Sequence, residues 1–261
     1  MDTSLKGKIA VVAGSSQGIG LAIARGFASQ GATVILLARN EGVMREVVEN
    51  LDTPFQQQHS FRVADFSQPM KVKEVIAEIC KETPVQILVN NTGGPPAGPI
   101  MEASEEDFIA AFNQHLVCNH ILTKAVVPCM KAAGYGRIIN IISTSVKIPL
   151  RNLGVSNTIR GAVASWAKTM SYELGEFNIT VNNILPGYTE TGRLESLVHF
   201  NAEKRGVQEE EIIKEMVSDI PLHRFGQPAE LAATAVFLAS PAASYITGTS
   251  IPVDGGRTGS I

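Results

Sequence analysis

The reading of this chain turns on Ile9-Ala-Val-Val-Ala13, then Gly14-Ser15-Ser16-Gln17-Gly18-Ile19-Gly20, then the segment from Leu21 to Ser29. The first five residues are apolar without polar alternation, as in a strand covered on both faces. The last segment carries small and apolar residues at helical spacing and stops at Gly31, a residue suited to a helix C-terminal cap. Between them lies the turn Gly-x-x-x-Gly-x-Gly. Glycines allow backbone angles and close approaches that a Cβ forbids, and free N–H groups at a helix start can hold a pyrophosphate. A tight turn without a ligand is the plainer alternative. The strand-turn-helix context favours the phosphate-binding reading.

Working outward, short Val- and Ile-rich runs recur between segments of helical period. They are Thr33 to Leu37, Phe61 to Ala64, Gln86 to Val89, Arg137 to Ile142, Thr180 to Leu185 and Ser250 to Val253. With Ile9 to Ala13 they make seven expected strands. Alternation with helices predicts an α/β fold, a doubly wound parallel sheet with helices on both faces. Ser104, followed by Glu105, Glu106 and Asp107, reads as a helix start with acids near its positive end. No repeat, low-complexity tract or long Pro/Gly-rich linker divides the chain, so residues 1–261 are expected to form one domain. Glu190 to Asp219 is polar and helical without a strong core stripe, and is expected to be a lid over a site.

Composition narrows the partners. The 261 residues are 44% hydrophobic, enough for a sizeable core, and the net charge is −3 with no run of five like charges. Nucleic acid and anionic membranes are therefore not expected partners. Cys80, Cys118 and Cys129 are odd in number and lack metal-ligand spacing, so they read as reduced core cysteines and no metal site is expected. Nothing near Met1 reads as a leader, and no run approaches a membrane helix, which gives a cytoplasmic expectation.

The second expected strand ends at Ala38-Arg39, about twenty residues beyond the glycines. There an Asp or Glu would bind a ribose 2′-hydroxyl and an Arg would accept a 2′-phosphate. The residue is Arg39, which favours NADP(H) over NAD(H), with a solvated surface charge as the alternative.

Further motifs follow in order: Asp65-Phe66, Asn90-Asn91-Thr92-Gly93, Pro186-Gly187-Tyr188-Thr189-Glu190-Thr191, Arg224-Phe225-Gly226-Gln227-Pro228, and Ile246-Thr247-Gly248 through Val253-Asp254-Gly255-Gly256. With the glycine turn they resemble the short-chain dehydrogenase/reductase family from about Lys6 to Gly256, in the pattern of its 3-oxoacyl-(acyl-carrier-protein) reductases. The resemblance implies a single Rossmann-type domain with a seven-stranded parallel sheet. It implies that Asp65 and Phe66 contact an adenine, that Asn91, Thr92 and Gly93 line the cofactor, and that Pro186, Gly187, Thr189 and Thr191 form the loop receiving the nicotinamide. It also implies a homo-oligomer, commonly a tetramer, whose four-helix bundle buries Ser104 to Lys131 and Val155 to Leu174. Val155, Ile159, Ala162, Val163, Trp166 and Met170 fit such a stripe, and intramolecular core explains them equally.

The resemblance breaks at the chemistry. The family uses a Ser, a Tyr, a Lys four residues after the Tyr, and a supporting Asn. Here the Ser is Ser143, but Ser156 stands at the Tyr position, Arg160 at the Lys and His115 at the Asn, with neighbouring Asn113 the alternative under a local shift. A phenol can be tuned towards the working pH; an aliphatic hydroxyl is a far weaker acid, and Ser156 is too short to reach the same point. Arg160 cannot shuttle a proton, since a guanidinium stays protonated, but it can do the Lys's other job of donating hydrogen bonds to the nicotinamide ribose, and it can stabilise an alkoxide. His115 suits acid/base work by its ordinary pKa and is the candidate relay, with a packing histidine as the alternative. Tyr188 is the tyrosine nearest the expected site; Ser145 and Lys147 could assist through water.

Three functions are consistent with this pattern. The first is an NADP(H)-dependent oxidoreductase acting on a small carbonyl or alcohol substrate, with an atypical proton donor. The second is a catalytically silent cofactor-binding homologue, a sensor or assembly partner. The third is non-redox lyase or dehalogenase chemistry, suggested because the related halohydrin dehalogenases also carry Arg at the Lys position, although they keep the Tyr and lack the glycine site.

Overall fold

The computed structural model describes residues 1–260. Its strands are β1 (Ile9–Ala13), β2 (Thr33–Ala38), β3 (Ser60–Val63), β4 (Ile87–Asn90), β5 (Gly136–Ile141), β6 (Ile179–Pro186) and β7 (Ser250–Val253). They form one sheet in the order β3-β2-β1-β4-β5-β6-β7, and every pair is parallel. The seven expected strands lie within one or two residues of these bounds.

The helices are α1 (Gly18–Ser29), α2 (Glu41–Glu49), α3 (Pro69–Glu82), α4 (Glu105–Phe112), α5 (Cys118–Ala133), α6 (Gly154–Leu174), α7 (Gly192–Arg205), α8 (Glu209–Ser218) and α9 (Pro228–Ala239). Successive residues of β1 point to opposite faces and enter two cores. Ala10 and Val12 pack with side chains of α1, α2 and α9, and Val11 and Ala13 pack with those of α3, α5 and α6. A strand buried on both sides has no solvent face to mark with polar residues. This is why these segments read as continuous apolar runs.

Ser104 caps α4, accepting from the Asp107 amide, while the Asp107 carboxylate accepts from the Ser104 amide. The expected single helix from Ser104 to Lys131 is interrupted by a π-turn, Asn113–Val117, between α4 and α5. Such a turn re-aims side chains by one extra residue, and this one carries His115 inward.

One expectation needs correction. Glu190 to Asp219 does hold a core: Leu194, Val198 and Ala202 on α7 meet Ile212 and Met216 on α8. One apolar residue per turn among many charges hid this stripe. On α6, Val155, Ile159 and Val163 are buried within the chain itself, and Ala162, Trp166 and Met170 are half-buried. Cys118 is buried and Cys80 and Cys129 are half-buried, all three as free thiols. Among the described residues no helix is long and apolar enough to cross a membrane.

Four polar side chains cross this apolar sheet in register. Asn90 donates to Asn140 at 2.9 Å, Asn140 to Asn183 at 2.9 Å, and Asn183 to the Ser250 hydroxyl at 3.0 Å. They occupy paired positions on β4, β5, β6 and β7.

Candidate active site

The C-terminal ends of the strands open onto a cleft of about 790 Å³. It lies where the chain, having wound from β1 through β2 to β3, crosses back to β4 on the other side of β1. Ligand clefts of open α/β sheets form at this reversal, because loops leaving neighbouring strands diverge there.

The glycine turn forms one wall. Gly14 and Gly18 have φ of +59° and +56°, a region costly to residues with a side chain. A Cβ on Gly20 would lie 2.1 Å from the Gly14 carbonyl oxygen, so α1 can start against the turn only with glycine there. α1 has no side-chain N-cap and no acid in its first turn, whereas α4 has both. Its leading amide groups and positive dipole end are thus left for an external anion.

The expected cofactor residues divide into those facing the cleft and those supporting it. Gly14, Ser16, Gln17, Gly18 and Ile19 line it, as do Arg39, Asp65, Phe66, Asn91, Thr92, Gly93, Pro186, Gly187, Thr189 and Thr191. Ser15 and Gly20 are not on that surface. Ser15 is fully buried and its hydroxyl accepts from the Leu37 amide at 3.2 Å, tying the turn to β2. Asn91 also serves the turn, donating through Nδ2 to the Ala13 and Gly14 carbonyls at 3.3 and 3.2 Å. Arg39 is exposed just beyond β2, with no ion-pair partner among the described residues. The Asp65 carboxylate accepts from the Ser67 amide at 3.0 Å and from Gln68 Nε2 at 3.3 Å. Those bonds, Ser67 first, hold its pKa below the ordinary carboxylate value, with Arg39 adding a smaller pull.

Ser143, Ser156 and Arg160 also line the cleft. Ser143 Oγ accepts from the Ser145 amide at 3.1 Å, which leaves its own O–H free to donate. Ser156 and Arg160 are one turn apart on the same face of α6. Arg160 Nη1 donates to the Ile141 carbonyl at 2.9 Å, while its buried Nε has no partner. Burial, and then the charge of Arg193, lowers the Arg160 pKa to about 10, so it remains a cation at neutral pH. Tyr188 also lines the cleft, in edge contact with Phe225 and beneath the guanidinium of Arg257 at 4.4 Å. Lys147 is exposed and Ser145 is buried, and neither faces the cleft.

His115 does not reach it either. The π-turn buries the imidazole to 2% exposure, with Nδ1 bonded to the Thr92 hydroxyl at 2.6 Å and Nε2 without a partner. Burial, reinforced by the Arg160 charge, lowers its pKa to about 3. An imidazole neutral at every working pH has no proton to give as a general acid. The geometry ties His115 to Thr92 and leaves it off the cleft lining.

Several contributors were not anticipated. Asn157 donates to the Leu150 carbonyl at 2.8 Å and accepts from its amide at 3.4 Å, pinning the loop before α6. Gly226 exchanges backbone bonds of 2.9 Å with the loop at Tyr188 and Glu190. This gives the Arg224-Phe225-Gly226 motif a role in bracing the Pro-Gly loop. Arg193 lines the cleft and donates to the Pro95 carbonyl at 2.9 Å. A single arginine in a polar stretch gives no sequence signal of such a position.

Comparison with known proteins agrees with this geometry. A family model described as enoyl-(acyl carrier protein) reductase matches residues 13–258. A 3-oxoacyl-(acyl-carrier-protein) reductase, FabG, of Chlamydia trachomatis is 34% identical, covering 98% of this chain and 99% of its own. The NADPH-dependent reductase BacG of Bacillus subtilis is 32% identical over 97% of this chain and 99% of its own. The crystal structure of L-sorbose reductase from Gluconobacter frateurii, complexed with NADPH and L-sorbose, superposes with a TM-score of 0.93 at 33% identity, covering 100% of both chains. With its glycine turn, its sheet order and these full-length relatives, the chain belongs to the short-chain dehydrogenase/reductase family of oxidoreductases.

Proposed function

We propose that this protein is an NADP(H)-dependent oxidoreductase that interconverts a small carbonyl compound and its alcohol, with a proton donor other than the family tyrosine. The observation that carries the reading is the uncapped, acid-free start of α1 packed on a glycine turn that a Cβ would close. Arg39, standing at the end of β2 where an acid would favour the unphosphorylated form, supports the phosphorylated form of the cofactor. So do the NADPH in the L-sorbose reductase complex and the NADPH dependence in the name of BacG. In this reading Asp65 and Phe66 contact the adenine, Asn91, Thr92 and Gly93 line the cofactor, and Pro186, Gly187, Thr189 and Thr191 form the nicotinamide side.

When bound, the nicotinamide supplies or accepts the hydride. The chain's own contribution is to hold the substrate oxygen and absorb its charge. Ser143 donates its free O–H to that oxygen. Arg160, desolvated and fixed on the Ile141 carbonyl, stabilises negative charge developing there. With His115 buried and neutral, the proton comes from Tyr188 or from water in the open cleft. Leu150 and Leu153 supply an apolar flank. The protein also self-associates in this reading, through Ile109 and Phe112 of α4 and Tyr172 of α6, which are 60%, 43% and 75% exposed.

The test is calorimetric titration with NADPH and NADH, then stopped-flow absorbance of the NADPH complex against ketones, aldehydes and acyl thioesters. Tight NADPH binding with hydride transfer is the expected result, and transfer slowed in Tyr188→Phe would identify that donor. The short Ser156 and the neutral His115 favour a second reading, a silent cofactor-binding homologue. Under it, NADPH binds without transfer and Ser156→Tyr with Arg160→Lys creates activity from none. The dehalogenase reading has no comparable support, because the glycine cradle is retained.

A further inference from the structure

The charges lining the cleft are unbalanced. Arg39, Arg160, Arg193 and Arg257 face it against one carboxylate, Asp65, which already accepts bonds from Ser67 and Gln68. Among the described residues none of the four arginines forms an ion pair, although Arg205 and Arg224 elsewhere do. A cleft of one sign raises the local concentration of the opposite charge.

Two of these arginines converge on one point. Measured from the position a Cβ on Gly94 would take, Arg160 Nη2 lies at 3.5 Å and Arg193 Nη2 at 3.8 Å. They come from different elements, α6 and the start of α7, and their hydrogen bonds are to the carbonyls of Ile141 and Pro95. Arg160 Nε is buried and unsatisfied beside them. Two like charges held together with donors to spare are stabilised by an anion between them, and a guanidinium pair suits the two oxygens of a carboxylate or phosphate.

The cofactor's pyrophosphate has its own place. The glycine turn is bordered by Asn91 and Thr191, at Gly14 and Gly18, whereas the arginine pair borders Gly94 and Pro95. Arg160 of the pair lies one turn from Ser156 on α6 and bonds to Ile141, two residues before Ser143. We infer that Arg160 and Arg193 form an oxyanion-recognition site, so that the carbonyl substrate carries a carboxylate or phosphate group. This rests on the oxidoreductase reading and adds to it the class of substrate.

The test titrates the NADPH-saturated protein with acetoacetate, with its uncharged ethyl ester and with inorganic phosphate. Acetoacetate is expected to bind about 10-fold or more tightly than the ester. Arg193→Gln is expected to abolish that preference without changing NADPH affinity, and Arg193→Lys to restore part of it. Arg193 is exposed and makes one hydrogen bond, so these variants retain the fold. Phosphate competing with acetoacetate would extend the site to phosphate esters; phosphate without competition would restrict it to carboxylates. Equal binding of acid and ester, or an Arg193→Gln effect on NADPH alone, would overturn the proposal and give Arg193 to the pyrophosphate. If NADPH itself fails to bind, the oxidoreductase reading falls. The same anions then titrate the nucleotide-free protein, where binding lost in Arg193→Gln upholds the site and no binding overturns it.

Discussion

Acidification tests the placement of His115 directly. Its imidazole is 2% exposed, and burial, with the Arg160 charge adding, brings its pKa from 6.5 to about 3. The unfolded chain has an ordinary histidine. Between pH 6.5 and 3 the unfolded state therefore binds a proton that the folded state refuses, and stability rises with pH across that window. The contribution is complete above pH 6.5 and is lost at roughly 1.4 kcal/mol per pH unit below it. By pH 5 the loss is about 2 kcal/mol. The assay is urea unfolding at pH 8 and pH 5 for the native protein and His115→Asn. Carboxylates such as Glu230, held at about 2 by Arg224 first and the Gln227 amide second, titrate alike in both and cancel in the difference. The native protein is expected to lose about 2 kcal/mol more than the variant. Equal losses would refute a buried neutral imidazole and return His115 to the list of proton carriers.

Gly20→Ala places a Cβ 2.1 Å from the Gly14 carbonyl oxygen. The turn must then shift by more than about 1 Å to reach ordinary contact distance. NADPH affinity in calorimetry should fall on the order of 100-fold while far-ultraviolet circular dichroism is retained. Arg39→Ser should weaken NADPH by roughly 10- to 100-fold, the worth of a hydrogen bond to a charged group, and leave NADH unchanged; equal effects on both would assign Arg39 to the surface. Asn140→Leu leaves the Asn90 amide and the Asn183 carbonyl oxygen without their partner. At about 1–3 kcal/mol for each of the two orphaned groups, urea unfolding should show a loss of roughly 2–6 kcal/mol.

Much of this was legible because periodicity reports burial. Ile9–Ala13 and Ser250–Val253 carry their strand assignments in their own side chains, and the glycine turn sits where an α/β site forms. What escaped depends on direction and partnership. Ser15 and Ser16 are adjacent and alike, yet one hydroxyl is spent on Leu37 and the other residue faces the cleft. His115 matched its family position by count, but the π-turn decides where the ring points, and nothing in Asn113–Val117 announces one. Arg193 gained its place from a contact 98 residues away in sequence, at Pro95. The α7 and α8 helices looked coreless because each satisfies the other.

The row of Asn90, Asn140, Asn183 and Ser250 has a consequence for alignment. Strand pairing alone tolerates a slip, since any amide can meet the next carbonyl, and apolar neighbours on both faces only weakly resist one. A slip of one residue would turn an asparagine to the other face and leave buried amides without partners. The row therefore works as a vernier between β4, β5, β6 and β7. Asn91 and Thr92 follow its first member directly, Ser143 comes three residues after the second, and Pro186 three after the third. Fixing those strands against one another sets the common height from which each loop leaves the sheet, so groups that meet at the substrate are calibrated from within the core.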